Sequence, residues 1–283
     1  MCRLLGYCSL GSASLADLMG AQGLRDFTAL SCLHGDGWGM AWYDRNEPGQ
    51  AEPDQRQPNR VQPVIRKSAG RADGDAEYDK LTWQPLGDLG LLHLRWATPG
   101  LAVADQNTHP FRFGEFAFAH NGAIHPQDRL GQLLPPVWEE RLGGTTDSER
   151  YFLQIMRFAA RDGDLIGAIS AAAADIEARY EPNSLNAILL SPDRLYAIAW
   201  HDPARIPERQ LRQRGYHDRP DDIASYFDLA YRSAGDAIVV ASSGWPMPGW
   251  TALPPGHILV VERGTLRTTV LPLAPDAGAT AAS

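Results

Sequence analysis

The sequence predicts an α+β fold built on antiparallel sheets. The two strongest helical stretches, residues 14 to 30 and 148 to 179, are too few and too far apart to alternate with strands as βαβ repeats. The remaining apolar runs are bounded by turn residues in the manner of hairpins. At 283 residues and 44% hydrophobic content the chain can bury a normal core. We expect one domain over residues 2 to 265, followed by a tail over 266 to 283 that is poor in core formers and without fixed structure.

In chain order, a short apolar strand runs through Tyr7, and a helix follows with Ser14 as its cap before Leu15, Leu18 and Met19. His34 to Tyr43 is a glycine-punctuated turn entering an aromatic strand. Its glycines permit positive φ or a close backbone approach, either in a plain turn or against a substrate. It lacks the GK[ST] ending of a phosphate loop. Residues 45 to 63 read as a long polar surface loop, Val64 to Lys67 as the returning strand, and Tyr78 to Gln84 as a short helix or turn. Leu89 to Thr98 reads as a buried strand in which Arg95 is conspicuous, because a charge there must be neutralised by a carboxylate of the protein or of a ligand.

Phe116 to His120 forms another strand, ending at Asn121-Gly122. That dipeptide is a hairpin signal, but a side-chain amide beside a glycine N–H also supplies two neutral donors at one point, as an oxyanion hole requires. Thr108 to Phe111 would line the same end of the sheet. Thr146 and Glu149 fit a capping box opening a helix with Tyr151, Phe152, Ile155 and Phe158 on one face. Asp147 in its first turn either favours the helix dipole, worth about 0.3 to 1 kcal/mol, or holds an ammonium group. A helix from Asp164 to Arg179, a hairpin from Leu185 to Trp200, a solvated loop over 201 to 222, and strands at 237 to 242 and 257 to 261 complete the chain.

A net charge of -8 gives no footprint for nucleic acid. There is no apolar run of about 18 residues and no signal-peptide pattern, so we expect no membrane partner and a cytoplasmic location. Three cysteines, Cys2, Cys8 and Cys32, make no disulfide framework, and with His34 they match no common zinc spacing; no metal and no cofactor are expected.

Cys2 is the residue around which a chemistry can be assembled. Removal of Met1 would leave a cysteine carrying both a thiol and a free α-amine, whose ordinary pKa of about 7.7 to 8.0 makes it a base near neutral pH. With Arg95, Asn121-Gly122 and Asp147, it makes up a site for an amino acid whose side-chain carbonyl is attacked.

At this point the chain resembles the class II glutamine amidotransferases, the cysteine branch of the N-terminal nucleophile hydrolases. The motifs are MCRLLGY, HLRWATPG, AHNGAI and TTDSER, occurring in the family's order, and MCRLLGY is similar to the stand-alone branch. The resemblance implies a four-layer αββα sandwich of two antiparallel sheets, with Cys2 as nucleophile and Asn121 and Gly122 as oxyanion hole. It further implies Arg95 for the substrate α-carboxylate, Asp147 for its α-amine and Thr98 as a supporting contact. Where part of the family has a threonine-histidine pair, Pro99 follows Thr98 here. The implied reaction is hydrolysis of a γ-glutamyl amide through a cysteine thioester, on a small γ-glutamyl substrate. Two alternatives are a glutaminase subunit delivering ammonia to a synthase partner and a catalytically silent binding module. No acceptor-activating segment is expected after about residue 265 and no nucleotide motif is present, which favours the stand-alone hydrolase.

Overall fold

The computed structural model describes residues 2–43, 61–98, 100–216 and 223–273. Most of the expected 45 to 63 loop, Pro99, part of the 201 to 222 segment and the end of the tail lie outside the described residues. The chain opens with strand β1 (Arg3–Ala13) and helix α1 (Leu15–Ala29). Ser14 starts the helix through a full capping box, its hydroxyl accepting from the Asp17 N–H while the Asp17 carboxylate reaches back to the Ser14 N–H. Strands β2 (Trp38–Tyr43) and β3 (Val64–Ser68), helix α2 (Ala76–Trp83) and strand β4 (Gly87–Leu94) follow. After β5 (Phe111–Phe113), β6 (Phe116–Asn121) and β7 (Ile124–His125), a short helix α3 (Pro136–Glu139) leads to the long helices α4 (Asp147–Asp162) and α5 (Leu165–Arg179). Next come β8 (Glu181–Pro182), β9 (Asn186–Ser191), β10 (Arg194–Ala199) and the short α6 (Glu208–Gln213). Strands β11 (Leu229–Ser233), β12 (Ala237–Ser242), β13 (Thr251–Leu253), β14 (His257–Glu262) and β15 (Thr268–Pro272) close the fold.

The strands make two large sheets, seven strands in the order β13-β11-β12-β1-β4-β2-β3 and six in the order β15-β14-β10-β9-β6-β5. Neighbouring strands run antiparallel throughout, as the hairpin signals require. Side-chain alternation then dictates the layers, because strands such as β2, β4, β9 and β10 are buried on both faces. Leu4, Leu89, Leu91 and Ala41 of the first sheet meet Ala117, Ile188, Leu195 and Leu259 of the second. The other face of the first sheet, with Leu5, Met40 and Leu92, packs on Leu18, Phe27 and Tyr78 from α1 and α2. The other face of the second, with Phe118 and Leu189, packs on Phe152, Ile155 and Ile169 from α4 and α5. The result is helix, sheet, sheet, helix, the αββα sandwich.

Three expectations are corrected. β4 ends at Leu94, so Arg95 lies just past a strand rather than inside one; its N–H donates to the Gly37 carbonyl at 2.8 Å. The expected 201 to 222 loop carries α6, and Leu211 and Tyr216 join Trp96, Tyr226 and Phe227 in a separate apolar cluster. Charged residues surrounding two spaced apolar ones concealed that anchor. The domain also continues beyond 265, since Thr268 to Pro272 pair with β14, register Val261 to Thr268 through His257 to Pro272. An edge strand needs only one sheet neighbour and one apolar face, and Leu273 there is buried.

Candidate active site

The antiparallel register puts Arg3 opposite Leu94, so Cys2 at the head of β1 comes beside Arg95 and Trp96 past the end of β4. The next residue is pinned as well, the Leu4 N–H donating to Ser242 Oγ at 3.0 Å. β6 of the second sheet ends at the same place, where the Cys2 N–H donates to Asn121 Oδ1 at 2.7 Å. The Cys2 thiol lies 3.7 Å from the Trp96 carbonyl, and Cys2 itself is 5% exposed. Because Oδ1 is turned to the cysteine nitrogen, Asn121 Nδ2 is left buried without a protein partner. A donor kept unpaired in the interior costs about 1 to 3 kcal/mol, a cost that a bound oxyanion would relieve.

Asn121-Gly122 does not turn a hairpin. The neighbours of β6 are β9 and β5, and the chain leaves Gly122 for β7, which pairs with β8. The glycine is required by space: a Cβ at 122 would stand 1.9 Å from the Ser184 carbonyl oxygen.

Asp147 begins α4, one residue after its cap. Thr146 Oγ1 accepts from the Glu149 N–H at 3.1 Å, but the Glu149 carboxylate does not close the capping box. It accepts instead from the N–H groups of Gly143 and Gly144, at 2.9 and 2.8 Å, and so fixes the loop ahead of the helix. The Asp147 oxygens accept from the Ile124 and Ser148 N–H groups at 2.8 and 2.9 Å, tying helix α4 to the Asn121-Gly122 exit. A carboxylate has about four acceptor positions, so capacity for an ammonium group remains.

Arg95 is buried, and its guanidinium donates to the Asp36 and Ala102 carbonyls at 3.2 and 3.1 Å. No described carboxylate forms an ion pair with it. Burial pulls its pKa below the ordinary arginine value, with Cys2 and Asp36 opposing. Of the two outcomes open in the sequence, the protein supplies only the Asp36 carboxylate acting through space, and no described carboxylate is in ion-pair contact with the guanidinium.

Cys2, Arg95, Thr98, Gly122 and Asp147 line one narrow cavity of about 20 Å³, room for a single water. Asn121 stands at its edge through its bond to Cys2. Thr98 forms part of the wall, its carbonyl accepting from the Leu101 N–H at 3.0 Å. His109, from the Thr108 to Phe111 loop expected at this end of the sheet, also lines the cavity, as do Asn107 and His120, for which the sequence offered no role. Asn107 braces the wall, its Oδ1 accepting from the Thr145 N–H at 2.9 Å and its Nδ2 donating to the Ala102 carbonyl. A second cavity of about 630 Å³ shares Trp96, Ala97 and Thr98 with the first and is otherwise lined by Ala123, His125, Asn183, Arg205 and Gln210, among others.

Burial depresses three histidines here. His93 falls to about 3, with Arg95 adding to the effect; His109 is pushed well down by burial with His93, His120, Arg95 and Lys67. His120 is also lowered by burial, opposed by Asp147 and by its bond to the Ser184 carbonyl. Below pH 6.5 the unfolded chain takes up protons at these positions that the native chain resists, down to about pH 3 at His93. Stability therefore falls as pH drops below 6.5, at about 1.4 kcal/mol per pH unit for each such histidine. Urea midpoints should be markedly lower at pH 5 than at pH 7, with three histidine ring resonances failing to titrate; equal midpoints would show these rings ionising normally.

Fold and family together define an amidohydrolase of the glutamine amidotransferase type. The family described as glutamine amidotransferases class-II matches residues 1–282, and the chain belongs to it. Glutamine–fructose-6-phosphate aminotransferase [isomerizing] of Idiomarina loihiensis is 35% identical over 104 residues, 36% of this chain but 17% of that protein. The probable glutamine amidotransferase DUG3 of Saccharomyces cerevisiae is 29% identical over 128 residues, 42% of this chain and 32% of that protein. The matches thus span less than a third of each relative. A glutamine aminotransferase class-II domain protein from Silicibacter pomeroyi shares the fold, with a TM-score of 0.59 at 20% identity over 96% of this chain and all of that one. Among the described residues no helix is long and apolar enough to cross a membrane, and no cluster of three or more His, Cys, Asp or Glu could hold a metal ion.

Proposed function

We propose that this chain hydrolyses γ-glutamyl amides whose leaving amine is larger than ammonia, through a thioester on Cys2. The observation that carries the reading is the 630 Å³ cavity that shares Trp96, Ala97 and Thr98 with the wall of the Cys2 cavity. Ammonia needs no such space, whereas an amine substituent projecting past Cys2 does. Arg95 takes the α-carboxylate and Asp147 the α-amine, with Thr98 beside them. The cavity of about 20 Å³ is smaller than a glutamyl group, so binding requires it to widen.

The Cys2 sulfur attacks the γ-carbonyl carbon, and the oxyanion takes hydrogen bonds from Asn121 Nδ2 and the Gly122 N–H. The thiol proton passes to the cysteine amine, free once Met1 is removed, and from there to the leaving nitrogen as the C–N bond breaks. Water, deprotonated by the same amine, then attacks the thioester and releases glutamate and the thiol. Asn121 Oδ1, 2.7 Å from the Cys2 nitrogen, holds that amine in place for both transfers.

A second reading is glutamine hydrolysis with ammonia delivered to a separate synthase, favoured by relatives in which the matched stretch is a minor part of an aminotransferase. A panel of γ-glutamyl amides decides between them. At least one larger amide should exceed glutamine in kcat/KM by about tenfold or more, the scale on which pocket contacts discriminate. If glutamine is preferred over every member and a synthase raises its turnover, the ammonia-delivering reading replaces the first.

A further inference from the structure

His109 is held rigidly in the wall of the Cys2 cavity. The segment carrying it is tied down by Lys67 Nζ, which donates to the Thr108 carbonyl at 2.8 Å, and by Thr108 Oγ1, which donates to the Ala104 carbonyl at 3.0 Å. Its carbonyl lies so close to β2 that a Cβ at Gly39 would stand 2.1 Å from the oxygen. The ring is wedged between His93, centroids 4.1 Å apart, and Phe111, centroids 4.6 Å apart. It is 4% exposed, and neither of its nitrogens has a protein partner. A neutral imidazole has one N–H to give and one lone pair to fill, and leaving both unmet in the interior is costly.

After burial, the groups that press most on this ring are its neighbours His93 and His120, followed by the cations Arg95 and Lys67. Such a field favours an anion as the missing partner, and a neutral imidazole would meet it as a donor. The anion brought to this cavity on the proposed reading is the α-carboxylate of the glutamyl group, already assigned to Arg95.

We propose that His109 is a second binding residue for the substrate α-carboxylate, its ring N–H paired with the oxygen that Arg95 leaves available. This rests on the glutamyl-site reading above. His93, tilted against it at 36°, and Phe111, edge-on at 64°, hold the ring in place. Asp147 lies at the other pole with the α-amine, so Arg95, His109 and Asp147 together select a free α-amino acid.

His109→Phe keeps an aromatic ring between His93 and Phe111 while removing both nitrogens. It should raise KM for the best γ-glutamyl substrate about tenfold to a hundredfold, the scale of a hydrogen bond to a charged group, with a much smaller change in kcat. The preference for that substrate over its α-carboxamide should shrink by the same factor, and His109→Asn should restore part of it. An unchanged preference in His109→Phe overturns the assignment. Should the phenylalanine variant fail to fold, histidine-selective 15N spectra of the wild type decide: saturating L-glutamate should shift a ring nitrogen of His109, and no shift overturns the proposal. Arg95→Lys separates this from its premise. If that variant raises KM and His109→Phe does not, only the histidine assignment fails; if Arg95→Lys leaves KM unchanged, the glutamyl-site reading itself is wrong.

Discussion

Cys2→Ala should remove γ-glutamyl hydrolysis altogether, a fall on the order of a millionfold if the sulfur is the nucleophile. The fold should survive, because the thiol contributes one weak contact to the Trp96 carbonyl and its backbone N–H keeps the bond to Asn121. The same substitution separates catalysis from binding, since glutamate should still protect the variant against thermal unfolding. A companion observation concerns the amine. Intact mass should show Cys2 as the first residue of active protein, because a peptide bond to Met1 would convert the base into an amide with no proton-accepting lone pair. Full activity in protein that retains Met1 would sink the role given to the amine, whereas residual turnover in Cys2→Ala would sink the nucleophile itself.

What was legible in the sequence was what depends on residue type and local spacing. The Ser14 cap, the α4 start at Thr146 and the strand leading to Asn121 are set by neighbours within a few positions, and they stand where expected. Long-range partners were not legible. Arg95 read as a charge within a strand because its apolar neighbours continue the pattern, yet the strand ends one residue earlier, where the chain turns to Asp36 and Gly37. Glu149 looked like half of a capping box, but the loop amides at Gly143 and Gly144 lie nearer to its carboxylate. The 201 to 222 segment looked solvated because Leu211 and Tyr216 are isolated in sequence; their burial comes from Trp96, more than a hundred positions earlier. Tyr216 further caps Arg3, whose guanidinium donates to the Tyr216 hydroxyl at 2.8 Å and the Tyr226 carbonyl at 3.1 Å. The arginine beside Cys2 stands plainly in MCRLLGY, but nothing local pointed to its burial or to tyrosines over 200 positions away.

Asn121→Ala should lower kcat by about a hundredfold to a thousandfold with little change in KM, the signature of a group that acts on the transition state rather than on bound substrate. Two functions are combined in this one side chain, and they can be separated. Oδ1 holds the Cys2 nitrogen at 2.7 Å, while Nδ2 has no protein partner. Asn121→Asp keeps an acceptor for the amine and replaces the donor with an oxygen. If orientation of the amine were the main contribution, the aspartate variant would recover much of the activity lost in Asn121→Ala. If the donor to the oxyanion dominates, aspartate should be at least as inactive as alanine, because its charge opposes the developing negative oxygen. We expect the latter, since the unpaired donor is tolerated in a buried position only at a cost that the transition state relieves. By the same reasoning Asn121→Ala loses one hydrogen bond but also removes one unsatisfied buried group, so its thermal stability should stay close to wild type. A loss of activity below tenfold in that variant would take Asn121 out of the oxyanion hole and leave it as a bracket for the amino terminus.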